Sequence, residues 1–500
     1  MHVEVEVSQG KLRGHARGRH LAFLGVPYAR PPVGALRFKA PEPPQAWSGV
    51  RDALEFGNVA PQDLGSVAPF KASGPESEDC LYLNVYTPAT DARRRPVLFW
   101  IHGGGFNHGS GSQPSYNGGP LAERGDVVVV SINYRLGALG YLYLGGHGGE
   151  RWGAANNAGQ LDQIAALRWV RDNIAAFGGD PAQVTIFGES AGSVAVCSLL
   201  AMPAARGLFT KAVAQSGTAN RAHSTASAAE LTARILGELG RNDKHADQSQ
   251  LQSAPLASLL SAQAKHGGLS PVVDGRTLPQ RPLAAVREGS AREIPLLVGT
   301  TRDETRLFGA LPRPPLDDAR LEQQVRELLP RAAAERAGEL VAVYRASRAQ
   351  RQLPSENSDI ADAVLTASRF RIPATRLCEA QVLHQPKTFL YQFDWESPAR
   401  GGQLRACHGL EIPFVWGIIG ANSTTNFSGT GEAAERLAEQ MMDAWIAFAK
   451  CGDPSHPGIG TWPAYDSGTR HTMLFGMRCE VSPAPFEEER AIWERLLGPA

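Results

Sequence analysis

Phe177-Gly178-Gly179-Asp180-Pro181-Ala182-Gln183-Val184-Thr185-Ile186-Phe187-Gly188-Glu189-Ser190-Ala191-Gly192 is the stretch that decides how this chain folds. Residues 184–187 form a short β-branched and aromatic run, the composition of a buried strand. The run leads into Gly188-Glu189-Ser190-Ala191-Gly192, and residues 190–200 then read as an apolar helix. A G-x-S-x-G element set between strand and helix projects its serine from a tight bend, where only small neighbours fit. The helix that opens there also aims its N-terminal dipole and unpaired N–H groups at the same point. As five residues alone the pattern is weak and fits a chance turn; its flanks make it specific.

Upstream, His102-Gly103-Gly104-Gly105-Phe106 follows a second strand candidate at 97–101. Consecutive glycines let the backbone approach a substrate closely, so the N–H groups of Gly104 and Gly105, with that of Ala191, are candidates to hold a developing oxyanion. The bland alternative is a flexible turn. A phosphate loop would need Gly-Lys-Ser/Thr, which does not follow.

Further strand candidates lie at 81–86, 127–132, 212–215, 296–298 and 389–393. Helical periods lie between them at 161–174, 228–239, 321–335, 360–383, 433–450 and 486–497. This alternation predicts an α/β fold with a large, mostly parallel sheet covered by helices on both faces. Gly- and Pro-rich stretches at 27–44, 103–119 and 145–153 do not resemble interdomain linkers. The expected organisation is one domain over residues 1–500 with helical insertions.

Serine is a poor nucleophile alone, so a base and an orienting acid are expected downstream, in the order Ser, Asp or Glu, His. His408 is placed for the base, in a polar loop after the strand at 389–393, with small Gly409 beside it. His384, His456 and His471 compete, and a lone loop histidine is usually solvated surface. Glu304 is placed for the acid, just beyond the strand at 296–298, where sheet enzymes build their sites. Asp303 has the same chemistry, and the residues alone do not separate the two.

The 500 residues carry 50 basic and 50 acidic side chains. No excess field exists to gather nucleic acid or anionic lipid, so the expected partner is a small, largely neutral molecule. No apolar run reaches the roughly 18 residues that span a bilayer. Residues 1–7 alternate like a half-buried strand rather than a signal peptide. The six cysteines (Cys80, Cys197, Cys378, Cys407, Cys451 and Cys479) form no CxxC pair. Both features favour reduced thiols and a cytoplasmic protein. No metal or organic cofactor is expected, and the oligomeric state is not readable.

Longer motifs sharpen this reading. The 177–192 stretch, Glu78-Asp79-Cys80-Leu81-Tyr82-Leu83-Asn84, Gly25-Val26-Pro27-Tyr28-Ala29, Asn133-Tyr134-Arg135-Leu136-Gly137, Gln215-Ser216-Gly217 and Trp462-Pro463 run along nearly the whole chain. In them the chain closely resembles the type-B carboxylesterases, the family of bacterial para-nitrobenzyl esterases and, more distantly, cholinesterases. The resemblance implies the α/β-hydrolase fold. It also implies hydrolysis of short- to medium-chain acyl or aryl esters through an acyl-enzyme, with Ser190, Glu304 and His408 as the triad. By the same resemblance Gly104, Gly105 and Ala191 form the oxyanion hole, and Ser216 lies near the acid and histidine. Activity is then expected to fall on the acid side as His408 takes a proton, at an apparent pKa of about 6 to 7.

Two departures stand out. Relatives usually have glycine after the acid, where this chain has Thr305, and secreted relatives bridge the counterpart of Cys80 to an upstream cysteine that is missing here. The cation-binding tryptophan of cholinesterases has no counterpart in residues 62–79, so choline esters are not expected substrates. Phe106, Phe308, Phe414 and Trp416 are candidates to line the acyl and alcohol pockets, with simple packing as the alternative. Rival readings are an amidase, carbamate hydrolase or acyltransferase on the same triad, or a non-catalytic interaction module of the same fold.

Overall fold

The structure is a computed structural model that describes residues 1–62, 72, 74–145, 156–240, 251–421 and 425–498. Beyond Gly145, the glycine-rich stretch at 145–153 lies outside the described residues. The chain divides into two compact units, Met1–Ala214 with Ala219–Ile294 and Ile446–Gly452, and Gln215–Thr218 with Pro295–Trp445 and Asp453–Ala500.

In the first unit the strands are β1 (His2–Val7), β2 (Gly10–Arg17), β3 (His20–Pro27), β4 (Val50–Asp52), β5 (Tyr82–Thr87), β6 (Arg95–Ile101), β7 (Val128–Ile132), β8 (Gly179–Glu189) and β9 (Lys211–Gln215). Their order is β1-β2-β3-β5-β7-β6-β8-β9, with β4 beside β2. The short pair β10 (His223–Ser224) and β11 (Val272–Val273) stands apart as a parallel two-stranded sheet. Strands β7, β6 and β8 are parallel, with Phe99 opposite both Val130 and Ile186. Parallel neighbours need crossover connections. Helices Gly119–Gly125, Ala158–Asn173 and Ala191–Ala201 lie in the β6–β7, β7–β8 and β8–β9 connections. Strands buried on both faces read as continuous apolar runs, and β7 does: Val128, Val129, Val130 and Ile132 are all fully buried.

The alternation at residues 1–7 becomes β1, paired antiparallel with β2. Strands β2 and β3 are not among the elements expected from the sequence. In β2 the inward positions are Leu12 and Gly14, and of the others only Ala16 carries an apolar side chain, which leaves little apolar period to detect.

In the second unit β12 (Leu296–Thr301), β13 (Thr388–Phe393), β14 (Thr472–Phe475) and β15 (Cys479–Ser482) follow one another in that order. The first three are parallel and the last is antiparallel. Helices Asp318–Leu328, Ala337–Gln350, Asn357–Thr366 and Glu487–Leu497 share a core of Leu321, Leu340, Tyr344, Ile360 and Trp493. The helix expected at 321–335 stops at Leu328, just before Pro330, because helices end ahead of a proline. The helix expected at 360–383 is not continuous. It runs as α-helix over Asn357–Thr366, as a π-helical turn over Ala367–Arg371, and as α-helix again over Ile372–Gln381. Pro373 lacks the N–H that would bond back to residue 369, and wider i→i+5 bonding absorbs the gap. Among the described residues no helix is long and apolar enough to cross a membrane.

Candidate active site

Ser190 stands between β8 and the Ala191–Ala201 helix with φ 56° and ψ −121°. A non-glycine residue held there stores about 1–3 kcal/mol of strain, which persists only when its surroundings impose it. The surroundings are close: a side chain at Gly192 would strike the Ile101 carbonyl. A Cβ at Gly103 would lie 2.7 Å from the Glu189 carbonyl and 3.2 Å from Ser190 Cβ, so the glycine loop packs directly on the serine turn. Gly104 and Gly105 in that loop have φ of 106° and 61°, and Ala191 is buried at the start of the helix. Phe106, also left-handed at φ 63°, closes the loop with its ring 4.8 Å from that of Tyr141.

His102 anchors the loop. Its Nδ1 donates to the Gly103 carbonyl at 2.8 Å and its ring stacks on Tyr134 at 4.5 Å, while the Tyr134 hydroxyl donates to the His102 carbonyl at 2.8 Å. Burial pushes His102 down to about 4 from 6.5, so it is neutral at physiological pH. The unfolded chain takes a proton below about 6.5 while the folded one resists until about 4. Stability linked to His102 is therefore complete above pH 6.5 and declines between the two values, by about 3 kcal/mol. His102→Gln is expected to flatten this acid-side loss, which urea unfolding at neutral pH and at about pH 4.5 measures. Equal acid sensitivity of variant and wild type would refute the assignment.

In the second unit, Glu304 opens a 3₁₀ turn, Glu304–Leu307, just past β12. Its carboxylate is wholly buried: Oε1 accepts the Thr301 N–H at 2.9 Å and Oε2 accepts from His408 Nδ1 at 2.6 Å. The His408 N–H also donates to the Glu304 carbonyl at 3.3 Å. Asp303 turns elsewhere, its carboxylate bonded by Arg302 Nε at 2.9 Å. Two rings flank the imidazole, Phe308 and Phe370, each with its centroid 5.2 Å away. Phe370, carried on the π-helical turn, was not legible in the sequence. Pro373 was the one local signal of that turn.

Thr305 is buried, and its hydroxyl donates to the Asp362 carbonyl at 3.0 Å and lies 3.1 Å from Thr366 Oγ1. Ser216 is wholly buried in a left-handed conformation, φ 49°, with its N–H on the Gly299 carbonyl at 2.8 Å. Its hydroxyl has no partner among the described residues. Phe414 is fully buried with its ring 5.2 Å from Phe393 and 5.6 Å from Trp395, and Trp416 is fully buried as well.

A hydroxyl presented on a strained strand-to-helix turn calls for a base, and a carboxylate bonded to Nδ1 fixes an imidazole in the tautomer whose Nε2 can take a proton. That is the chemistry of a serine hydrolase. The chain belongs to the Carboxylesterase family, which it matches over residues 2–493. It is 40% identical to the para-nitrobenzyl esterase of Bacillus subtilis over 98% of both chains. A solved para-nitrobenzyl esterase structure superposes with a TM-score of 0.88 and 37% identity, covering 100% of each chain. A Geobacillus stearothermophilus carboxylesterase superposes at 0.87 with 40% identity over 98% of this chain and 99% of its own. The protein has the α/β-hydrolase fold and is a serine enzyme that hydrolyses carboxylic esters.

Proposed function

We propose that Ser190 is the nucleophile, His408 the general base and Glu304 the acid that orients it, in an esterase for short- to medium-chain acyl and aryl esters. Ser190 attacks the ester carbonyl as His408 takes its proton, and the oxyanion is held by the N–H groups of Gly104, Gly105 and Ala191. His408 returns the proton to the leaving alcohol, and water releases the acyl group by the same steps in reverse. Ser216 supports the acid and histidine from its strand end, and Phe106, Phe308, Phe414 and Trp416 shape the acyl and alcohol pockets. The bond between Glu304 and His408 carries this reading, because a buried carboxylate on Nδ1 is what a catalytic imidazole needs. The para-nitrobenzyl esterase likeness supports benzyl-type esters as substrates. All six cysteines are unbridged thiols, which supports a reducing, cytoplasmic setting.

The test is a p-nitrophenyl ester series from acetate to decanoate, with acid-quenched enzyme digested and weighed. The expected result is fastest turnover at the short to middle lengths, with the acyl mass on the peptide containing Ser190. Acyl label on another residue, or preference for the longest chain, would overturn the reading.

A further inference from the structure

We infer that the Asn357–Thr366 helix and its π-helical continuation position the acid–histidine pair, gripping the acid's turn through Thr305 and the imidazole through Phe370. The inference rests on the assignment of Glu304 and His408 as acid and base, and adds two positioning residues, Thr305 and Phe370, that act through that pair.

The Glu304–His408 bond fixes one edge of the imidazole but not the plane of its ring, and a 3₁₀ turn of four residues is a poor anchor by itself. Both deficits are met from one element. The Thr305 N–H donates to Thr366 Oγ1 at 3.3 Å, and the Thr305 hydroxyl donates to the Asp362 carbonyl at 3.0 Å. The residue after the acid is thus bonded to the last turn of the helix, through a side chain that a glycine would not have. Arg306 and Arg313 reinforce the grip, with ion pairs of 3.0 Å each to Asp362 and a further pair from Arg306 to Asp359.

Directly after Thr366 the backbone widens into the π turn, whose extra residue rotates the remainder of the helix by about 100° relative to a regular α-helix. Phe370 falls on this turn, 7% exposed, with its ring against the imidazole. Phe308 touches the same imidazole but is 48% exposed. Of the two rings, Phe370 is the one whose own position is fixed by packing. One helix therefore sets where the carboxylate sits and how the imidazole lies, which supplies the rigid support a catalytic constellation requires.

The experiment compares Thr305→Val, Thr305→Ser and Phe370→Leu, singly and as the Thr305→Val/Phe370→Leu pair, by kcat, KM and the pH dependence of kcat in the full-length enzyme. Thr305→Val keeps the shape and removes the hydroxyl. It is expected to lower kcat about tenfold, with KM little changed and the acid limb displaced, because a 1 Å misplacement of reacting groups can cost about 100-fold. Thr305→Ser should restore most of the rate. Phe370→Leu should act on the same limb, and the pair should lose less than the product of the single losses because both act through one helix. Wild-type kcat and pH profiles in both single variants, with at most a lowered Tm, would overturn the inference, as would losses that simply multiply. Failure of the underlying assignment is recognised separately, by His408→Ala retaining activity.

Discussion

Ser190→Ala is expected to lower kcat for p-nitrophenyl acetate by about 10⁵- to 10⁶-fold while leaving KM close to the wild-type value. The large loss follows from the division of labour at the site. On the proposed roles, substrate binding and the glycine-loop donors survive the substitution, yet without the hydroxyl no acyl-enzyme forms for them to assist. The fold should not notice. Alanine keeps the Cβ, and the left-handed backbone at φ 56° is imposed by the close packing of Gly103 and Gly192 around it. Unfolding of Ser190→Ala should therefore match wild type to within about 0.5 kcal/mol. Ser190→Gly should instead be more stable by about 1 kcal/mol, since glycine accepts this conformation without strain. Stopped assays and urea unfolding on the same preparations check both halves. Retention of more than about one hundredth of the wild-type rate by a folded Ser190→Ala enzyme would remove Ser190 from the nucleophile role.

The strand-to-helix turn was legible because every local preference there agrees. The run from Val184 to Phe187 is β-branched and aromatic, the flanking glycines are sterically required, and the Ala191–Ala201 helix is buried along its whole length. Agreement across levels of this kind is what lets a sequence declare its structure. It fails where tertiary contacts decide. Strand β2 is held by pairing with β1, β3 and β4 although Leu12 is its one large apolar residue. The π turn at Ala367–Arg371 depends on a missing donor at Pro373 inside an otherwise regular helical period.

The same distinction runs through the site. Asp303 and Glu304 are chemically equivalent neighbours, and only the 3₁₀ turn sends one carboxylate to Arg302 and the other to His408. Two of the three competing histidines are held by other partners: His456 Nε2 bonds the Gln440 carbonyl, and His471 bonds the Thr469 hydroxyl at the surface. His20 also pairs with a carboxylate, Glu123, at 2.8 Å, but that carboxylate is 31% exposed where the Glu304 side chain is fully buried. A shielded carboxylate keeps its hydrogen bond free of competing water, so it orients a ring better than a solvated one.

Glu304→Gln is the sharper test of how the imidazole works, with an expected loss in kcat of about 10⁴-fold and little change in KM. Both carboxylate oxygens of Glu304 accept, one from the Thr301 N–H at 2.9 Å and one from His408 Nδ1 at 2.6 Å. Glutamine has nearly the same shape but only one acceptor oxygen. If its amide NH₂ faces His408, Nδ1 must become the acceptor and the proton moves to Nε2, so the ring can no longer take the hydroxyl proton. If the NH₂ faces Thr301 instead, two donors oppose each other in a buried site, at a cost of about 1–3 kcal/mol. The first arrangement is therefore favoured, and it is the inactive one. The pH profile gives a second reading of the same physics. A negative charge beside an imidazole favours its protonated form, so the expected result of removing that charge is an acid limb of the residual activity displaced to lower pH. A variant that loses only about tenfold in rate with its acid limb unmoved would mean that Glu304 is a packing residue, and that another group orients His408.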